Sequence, residues 1–144
     1  MMKIIFSLIL IAAINIFSQS ERLTRNLENG YAWVRLEDPV LNYSTSKETY
    51  LSSILQRYRL TQEKYPEISH LGCKNEIDKI YQTDESDKML MSNIISEMDK
   101  FYNEEENMII PIIFVYCYTI KKIAGLSEAD LNDYKKAVLE FSEE

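Results

Sequence analysis

The sequence predicts an all-α protein: a single compact bundle of some four to five helices behind a cleavable leader. Three observations carry that reading. Only three glycines and three prolines punctuate 144 residues. Leu, Ile, Met, Lys and Glu are plentiful, and alternating β-branched runs are absent, which is the balance of a helical domain. Several segments place apolar residues three and four apart, the spacing of one helix face.

Residues 1–20, MMKIIFSLILIAAINIFSQS, have the layout of a secretory signal peptide. Lys3 makes a short positive start, and Ile4 to Ile16 is apolar except for Ser7 and Asn15. Ser18 and Ser20 are the small residues of a cleavage site. The run is shorter than the ~20 apolar residues that span a bilayer, so no stable membrane insertion is expected after cleavage. The expected mature domain is residues 21–144, working in the periplasm or outside the cell. Lys3 is the only charge in the leader and the whole chain carries −7, so the mature part is near −8. An acidic surface repels phosphate backbones and anionic lipid, which argues against nucleic acid; it can attract a basic protein partner, although acidity that merely keeps the protein soluble is the stronger reading.

Along the mature chain, residues 21–30 read as one or two helical turns ending at Asn29-Gly30, with glycine in the left-handed position after a helix. Tyr31 to Leu36 is short and apolar, and Glu37-Asp38-Pro39 breaks it. Residues 39–46 are polar and loop-like. Thr45 and Glu48 have capping-box spacing ahead of a helix whose face is Leu51, Ile54, Leu55 and Tyr58. Tyr65-Pro66 ends it. Glu67 to Gly72 reads as a loop, and Asn75 to Gln82 as a short helix with Ile77, Ile80 and Tyr81 inward. Thr83 to Ser86 supplies N-cap residues for a helix running to Tyr102, with Leu90, Ile94, Met98 and Phe101 as its stripe. Asn103 to Asn107 is an acidic turn. Pro111 opens a helix that is apolar nearly all round to Ala124, the pattern of a central helix, and Gly125 stops it. Ser127 and Asp130 cap the last helix, whose inner face is Leu131, Tyr134, Val138 and Phe141.

Cys73 and Cys117 are the two cysteines. An oxidising compartment favours a disulfide between them; two buried thiols serving as small apolar residues is the other reading. Their spacing matches no zinc pattern, and no metal or cofactor is expected. His70, the only histidine, lies near Cys73 and Glu67, but no third group completes a catalytic set. The acidic runs Asp84-Glu85-Asp87 and Glu104-Glu105-Glu106 lack the alternating ligands and glycine of a calcium loop. Ten tyrosines and one tryptophan remain, joining apolar area to polar tips, as binding surfaces and core edges both do. The candidate binding surface is Tyr31, Trp33, Lys47, Tyr50, Tyr102 and Asn107.

The stretch FYNEEENMIIPI, Phe101 to Ile112, resembles a signature of small exported bacterial proteins of unknown function, F-Y-x-x-x-x-N-x-x-I-P-I. Upstream, Asn29, Gly30, Trp33, Lys47, Tyr50 and Leu51 resemble the same proteins. The chain departs from them in a longer Trp33–Lys47 spacing, and in Ser53 and Arg57 where they carry glycines. The resemblance implies export and a helical fold, and no activity. Size, export and helical content are also loosely similar to immunity proteins that neutralise cell-wall amidases delivered by type VI secretion, although their richer cysteine pattern is absent. Asn107 is expected to cap the next helix, making the signature a corner between two helices; a ligand-binding loop is the other reading.

The expected function is therefore an exported non-enzymatic binding protein of the inhibitor or immunity class. The alternative is a small hydrolase or metal-dependent protein using carboxylates with His70 or a cysteine. Cleavage is predicted after Ser20, so intact mass of the exported protein should correspond to a chain starting at Glu21. A mature pool retaining Met1 or Met2 would contradict it.

Overall fold

The computed structural model describes residues 21–37, 45–62, 66–83 and 86–143. The expected signal peptide and most of the 39–46 loop lie outside them. Two short strands, β1 (Leu23–Thr24) and β2 (Leu27–Glu28), are followed by six α-helices among the described residues. These are α1 (Gly30–Val34), α2 (Lys47–Gln62), α3 (Lys74–Gln82), α4 (Met91–Phe101), α5 (Ile112–Ile123) and α6 (Glu128–Glu143). Four 3-10 turns join them, at Arg35–Glu37, Pro66–Leu71, Ser86–Met89 and Glu105–Ile109.

Helix α5 is the axis, and α2, α3, α4 and α6 all pack on it. Ile112 to Cys117, Thr119, Ile120 and Lys121 are buried, which explains why this helix is apolar on every side. Trp33, Leu51, Ile80, Ile94, Met98, Leu131 and Val138 complete the core around it. The end of α5 is closed by local chemistry. Gly125 takes φ +81°, Leu126 N–H donates to the Lys121 carbonyl at 3.1 Å, and Gly125 N–H to that of Lys122 at 3.0 Å. This paired bonding at a left-handed glycine satisfies carbonyls that the helix itself leaves unpaired. The next helix begins three residues later, where Asp130 N–H donates to Ser127 Oγ at 3.2 Å.

A disulfide joins Cys73, at the start of α3, to Cys117 in α5, with 5.1 Å between their Cα atoms. Closing a loop of 44 residues is worth about 3–4 kcal/mol on a chain-entropy account. Two side chains reinforce the same seam. Lys121 Nζ, largely buried, bonds Glu76 Oε1 at 2.6 Å, and Tyr134 Oη donates to the Leu71 carbonyl at 2.8 Å.

Several local expectations are corrected. Residues 21–30 form a hairpin, not helical turns. Arg25 and Asn26 hold φ of 50° and 66°, the two positive values of a tight hairpin turn. Gly30 begins a helix rather than ending one. Asn29 caps that helix, accepting from Tyr31 N–H through Oδ1 at 3.1 Å. Helix α2 is capped by Ser46, whose Oγ accepts from Thr49 N–H at 3.2 Å, one residue after the expected Thr45. The 66–71 segment is a 3-10 turn rather than an open loop. Tyr81 points outward, 63% exposed, because the three-residue spacing from Ile77 and Ile80 already fills the inner face of so short a helix. Helix α4 starts at Met91, after a separate 3-10 turn, and its first backbone N–H groups have no side-chain cap; Leu90 is exposed. Pro111 stands one position before the first residue of α5.

Gly30 is required for a close approach. A Cβ there would lie 2.5 Å from the Tyr102 ring and 2.9 Å from Met108 Cα. Gly30→Ala is therefore expected to destabilise the protein by about 1–3 kcal/mol, the usual cost of overpacking, measured by urea unfolding. A neutral Gly30→Ala would mean that the N-terminal segment does not press on this corner.

Candidate functional site

The residues expected at a binding surface meet in two adjoining networks. In the first, Trp33 is fully buried and its Nε1–H donates to Asp99 Oδ1 at 2.7 Å. Lys47 Nζ reaches the same oxygen at 2.6 Å, bonds Glu37 at 2.7 Å, and stands 5.2 Å over the Trp33 ring. Tyr31 and Tyr50 are half-buried against the core nearby. Asp99 organises this group, yet it is one acid among many in the sequence and no spacing marks it.

The second network surrounds the 101–112 corner. Tyr102 is buried, its hydroxyl donates to the Ile110 carbonyl at 2.9 Å, and burial pushes its phenol well above the ordinary value. Asn107 is buried at 1% exposure. Its side chain does not accept from the start of α5. Nδ2 instead donates backward, to the Phe101 carbonyl at 2.7 Å and to Glu104 Oε2 at 3.0 Å. The expected cap is thus corrected: Asn107 closes the end of α4, and the turn between the two helices puts the first N–H groups of α5 out of its reach. Both donors are used on acceptors, which fixes the amide orientation and leaves Oδ1 as an acceptor.

A cleft of about 280 Å³ opens where α4, α5 and α6 meet, and Asn107 lines it. Phe101, Tyr118 and Thr119 form its inner wall, with Asn132 on α6. Glu97, Lys100, Lys122, Glu104 and Lys135 surround them. Lys100 and Lys122 each bond Glu97 at 2.5 Å, while Lys135 bonds Glu104 at 2.9 Å and Glu106 at 3.0 Å. Hydrogen bonds from Lys100 and then Lys122 hold Glu97 below the usual carboxylate value, and those from Lys135 and Asn107 do the same for Glu104. The Glu97 bond raises Lys122. Burial works against Lys135, but its bonds to Glu104 and Glu106 win and raise it. These four groups keep their charges across neutral pH. They act as fixed charges and not as proton donors or acceptors tuned near pH 7.

Two buried polar atoms in the cleft lining find no hydrogen-bond partner among the described residues: Asn107 Oδ1 and Thr119 Oγ1. Each such atom ordinarily costs about 1–3 kcal/mol, so a pair in one lining marks a place where stability has been given up. Thr119 was not singled out by sequence reasoning. Its one signal is a lone threonine in the middle of an otherwise apolar and aromatic stretch.

His70 is exposed on the 66–71 turn, and both cysteine sulfurs are taken up by their bond, so neither is a thiolate nucleophile. Among the described residues no group of three or more His, Cys, Asp or Glu side chains is placed to hold a metal ion. No protein-family model matches the chain, and no match is found among curated proteins or solved structures.

The geometry of Asn107 separates two roles. A cap needs only an acceptor, which Asp supplies; the observed contacts need a donor. Asn107→Asp should therefore destabilise the protein at least as much as Asn107→Ala, by about 1–3 kcal/mol in urea unfolding, because it sets a carboxylate against a carbonyl and Glu104. An Asp variant as stable as the wild type would restore the capping role.

Proposed function

We propose that this chain is an exported, non-enzymatic binding protein that engages a protein partner, in the manner of an inhibitor or immunity factor, in the periplasm or outside the cell. One observation supports this above the others. The cleft beside Asn107 surrounds two unpartnered buried polar atoms with paired charges that stay ionised at neutral pH, an arrangement suited to recognition rather than proton transfer. The disulfide fits an oxidising compartment. Among the described residues no helix is long and apolar enough to cross a membrane. The acidic balance of the whole chain favours a basic partner through long-range steering.

The test is capture. Mature, disulfide-bonded protein immobilised in periplasmic extract is expected to retain one partner, and light scattering of the purified pair should give a fixed stoichiometry. Catalytic turnover in a substrate screen, lost on replacing His70 or a carboxylate, would favour the hydrolase reading instead.

A further inference from the structure

We propose that the cleft between α4, α5 and α6 is a receptor for an uncharged amide, a peptide group or carboxamide side chain presented by the partner. The inference rests on the binding role proposed above and names the chemistry that the cleft selects.

The lining sets three requirements. Asn107 Oδ1 can only accept, so the occupant must bring an N–H or O–H. Thr119 Oγ1 has a hydroxyl proton with no acceptor, so the occupant is best served by also bringing a carbonyl. An amide carries both. The third requirement concerns charge. Lys100 and Lys122 are matched by Glu97, and Lys135 by Glu104 and Glu106. Three cations against three anions leave no net charge for an ion to neutralise. A charged occupant would leave one of these charges unmatched, whereas a dipole leaves their balance intact.

Size and walls agree. The space, about 280 Å³, lies just below the ~300–1,000 Å³ of small-molecule pockets, so the occupant is a side chain or a residue or two of chain. Phe101 and Tyr118, with ring centroids 4.8 Å apart, give it an apolar face to lie against. Both orphan atoms lie beneath the surface, and the route to Asn107 runs past Glu104, which links Asn107 to Lys135. The Glu104 carboxylate is mostly exposed, so the pair that guards the route opens at small cost.

The probe is N-acetylglycine N-methylamide, an uncharged diamide, titrated into ¹⁵N-labelled mature protein with its disulfide intact. Saturable shifts are expected at the Asn107 side-chain NH₂ and at the backbone amides of Phe101 and Thr119. Thr119→Val keeps the shape and removes the hydroxyl; it should weaken the probe at least tenfold while melting no lower than wild type, since the hydroxyl has no partner to lose. Raising the salt concentration should leave the wild-type affinity within twofold, a readout that needs no variant. Acetate and methylammonium should bind at least tenfold more weakly than the diamide. Absence of saturable shifts, unchanged affinity in a folded Thr119→Val, or tighter binding of either ion would overturn the proposal. So would a trapped water that bonds both orphan atoms and is not displaced. A captured partner with a cleft silent to the diamide would defeat this inference and leave the binding role standing. Substrate turnover by a protein that binds the diamide would do the reverse.

Discussion

The entrance to α5 is the constraint on which the rest of the molecule depends. Ile109, Ile110 and Pro111 lead the chain into its most buried helix, where unpaired backbone groups are costly. Each is held from outside the turn. The Thr24 hydroxyl donates to the Ile109 carbonyl at 2.5 Å, Tyr102 Oη to that of Ile110, and Asn29 forms an isolated bridge with Pro111. Asn29 does more than bridge: its Nδ2 also bonds the Glu21 carbonyl and Thr24 Oγ1, tying the hairpin to itself. The absent side chain at Gly30 is what lets the Tyr102 ring close over this corner. Residues 29–33 and 101–112, far apart in sequence, are thus two halves of one junction.

The opposite flank of α5 is fastened by different physics. There the disulfide and the Lys121–Glu76 pair hold α3 to the axis, and the Tyr134 hydroxyl spans the Leu71 and Phe114 carbonyls. A buried ion pair is weak evidence of net stability, because desolvation offsets much of the attraction. Its value is in register: Lys121, in the last turn of α5, is paired with Glu76 in the first turn of α3. With both flanks fixed, the third side of α5, towards α4 and α6, carries the cleft. The cost of leaving buried Asn107 Oδ1 and Thr119 Oγ1 unpaired is borne there because the fixed helix cannot shift to bring them a partner.

What could be read from the sequence follows the reach of each signal. Helices α5 and α6 were legible because their evidence is local: an apolar run stopped by Gly125, and a Ser127 cap followed by a regular stripe. The hairpin was not, because Arg25-Asn26 is a poor advertisement for two positive φ values; Arg25 is held by tertiary contact, its guanidinium 4.4 Å over the Phe141 ring. Tyr81 was misplaced because helical spacing fixes relative angle and not which residue runs out of neighbours. Of the cleft, Asn107 was visible as the asparagine of the F-Y-x-x-x-x-N-x-x-I-P-I stretch, between Glu106 and Met108. Its role was misassigned, because only the turn geometry decides whether an amide faces the helix before it or the helix after. Thr119 showed only as a threonine in an apolar helix, with nothing to mark its hydroxyl as unpaired, and the lysine–glutamate ring was invisible, since three helices and a turn contribute to it.

The 44-residue span of the disulfide has a consequence for a protein among proteases. Helices α3 and α4 and the acidic turn Glu104-Glu105-Glu106 all lie between Cys73 and Cys117. A backbone cut anywhere in that span leaves two pieces that cannot diffuse apart, with α4 still attached to the axis it packs on. The turn that exposes Glu104, Glu105 and Glu106 is also one whose cleavage the molecule survives, as a nicked but covalently single body.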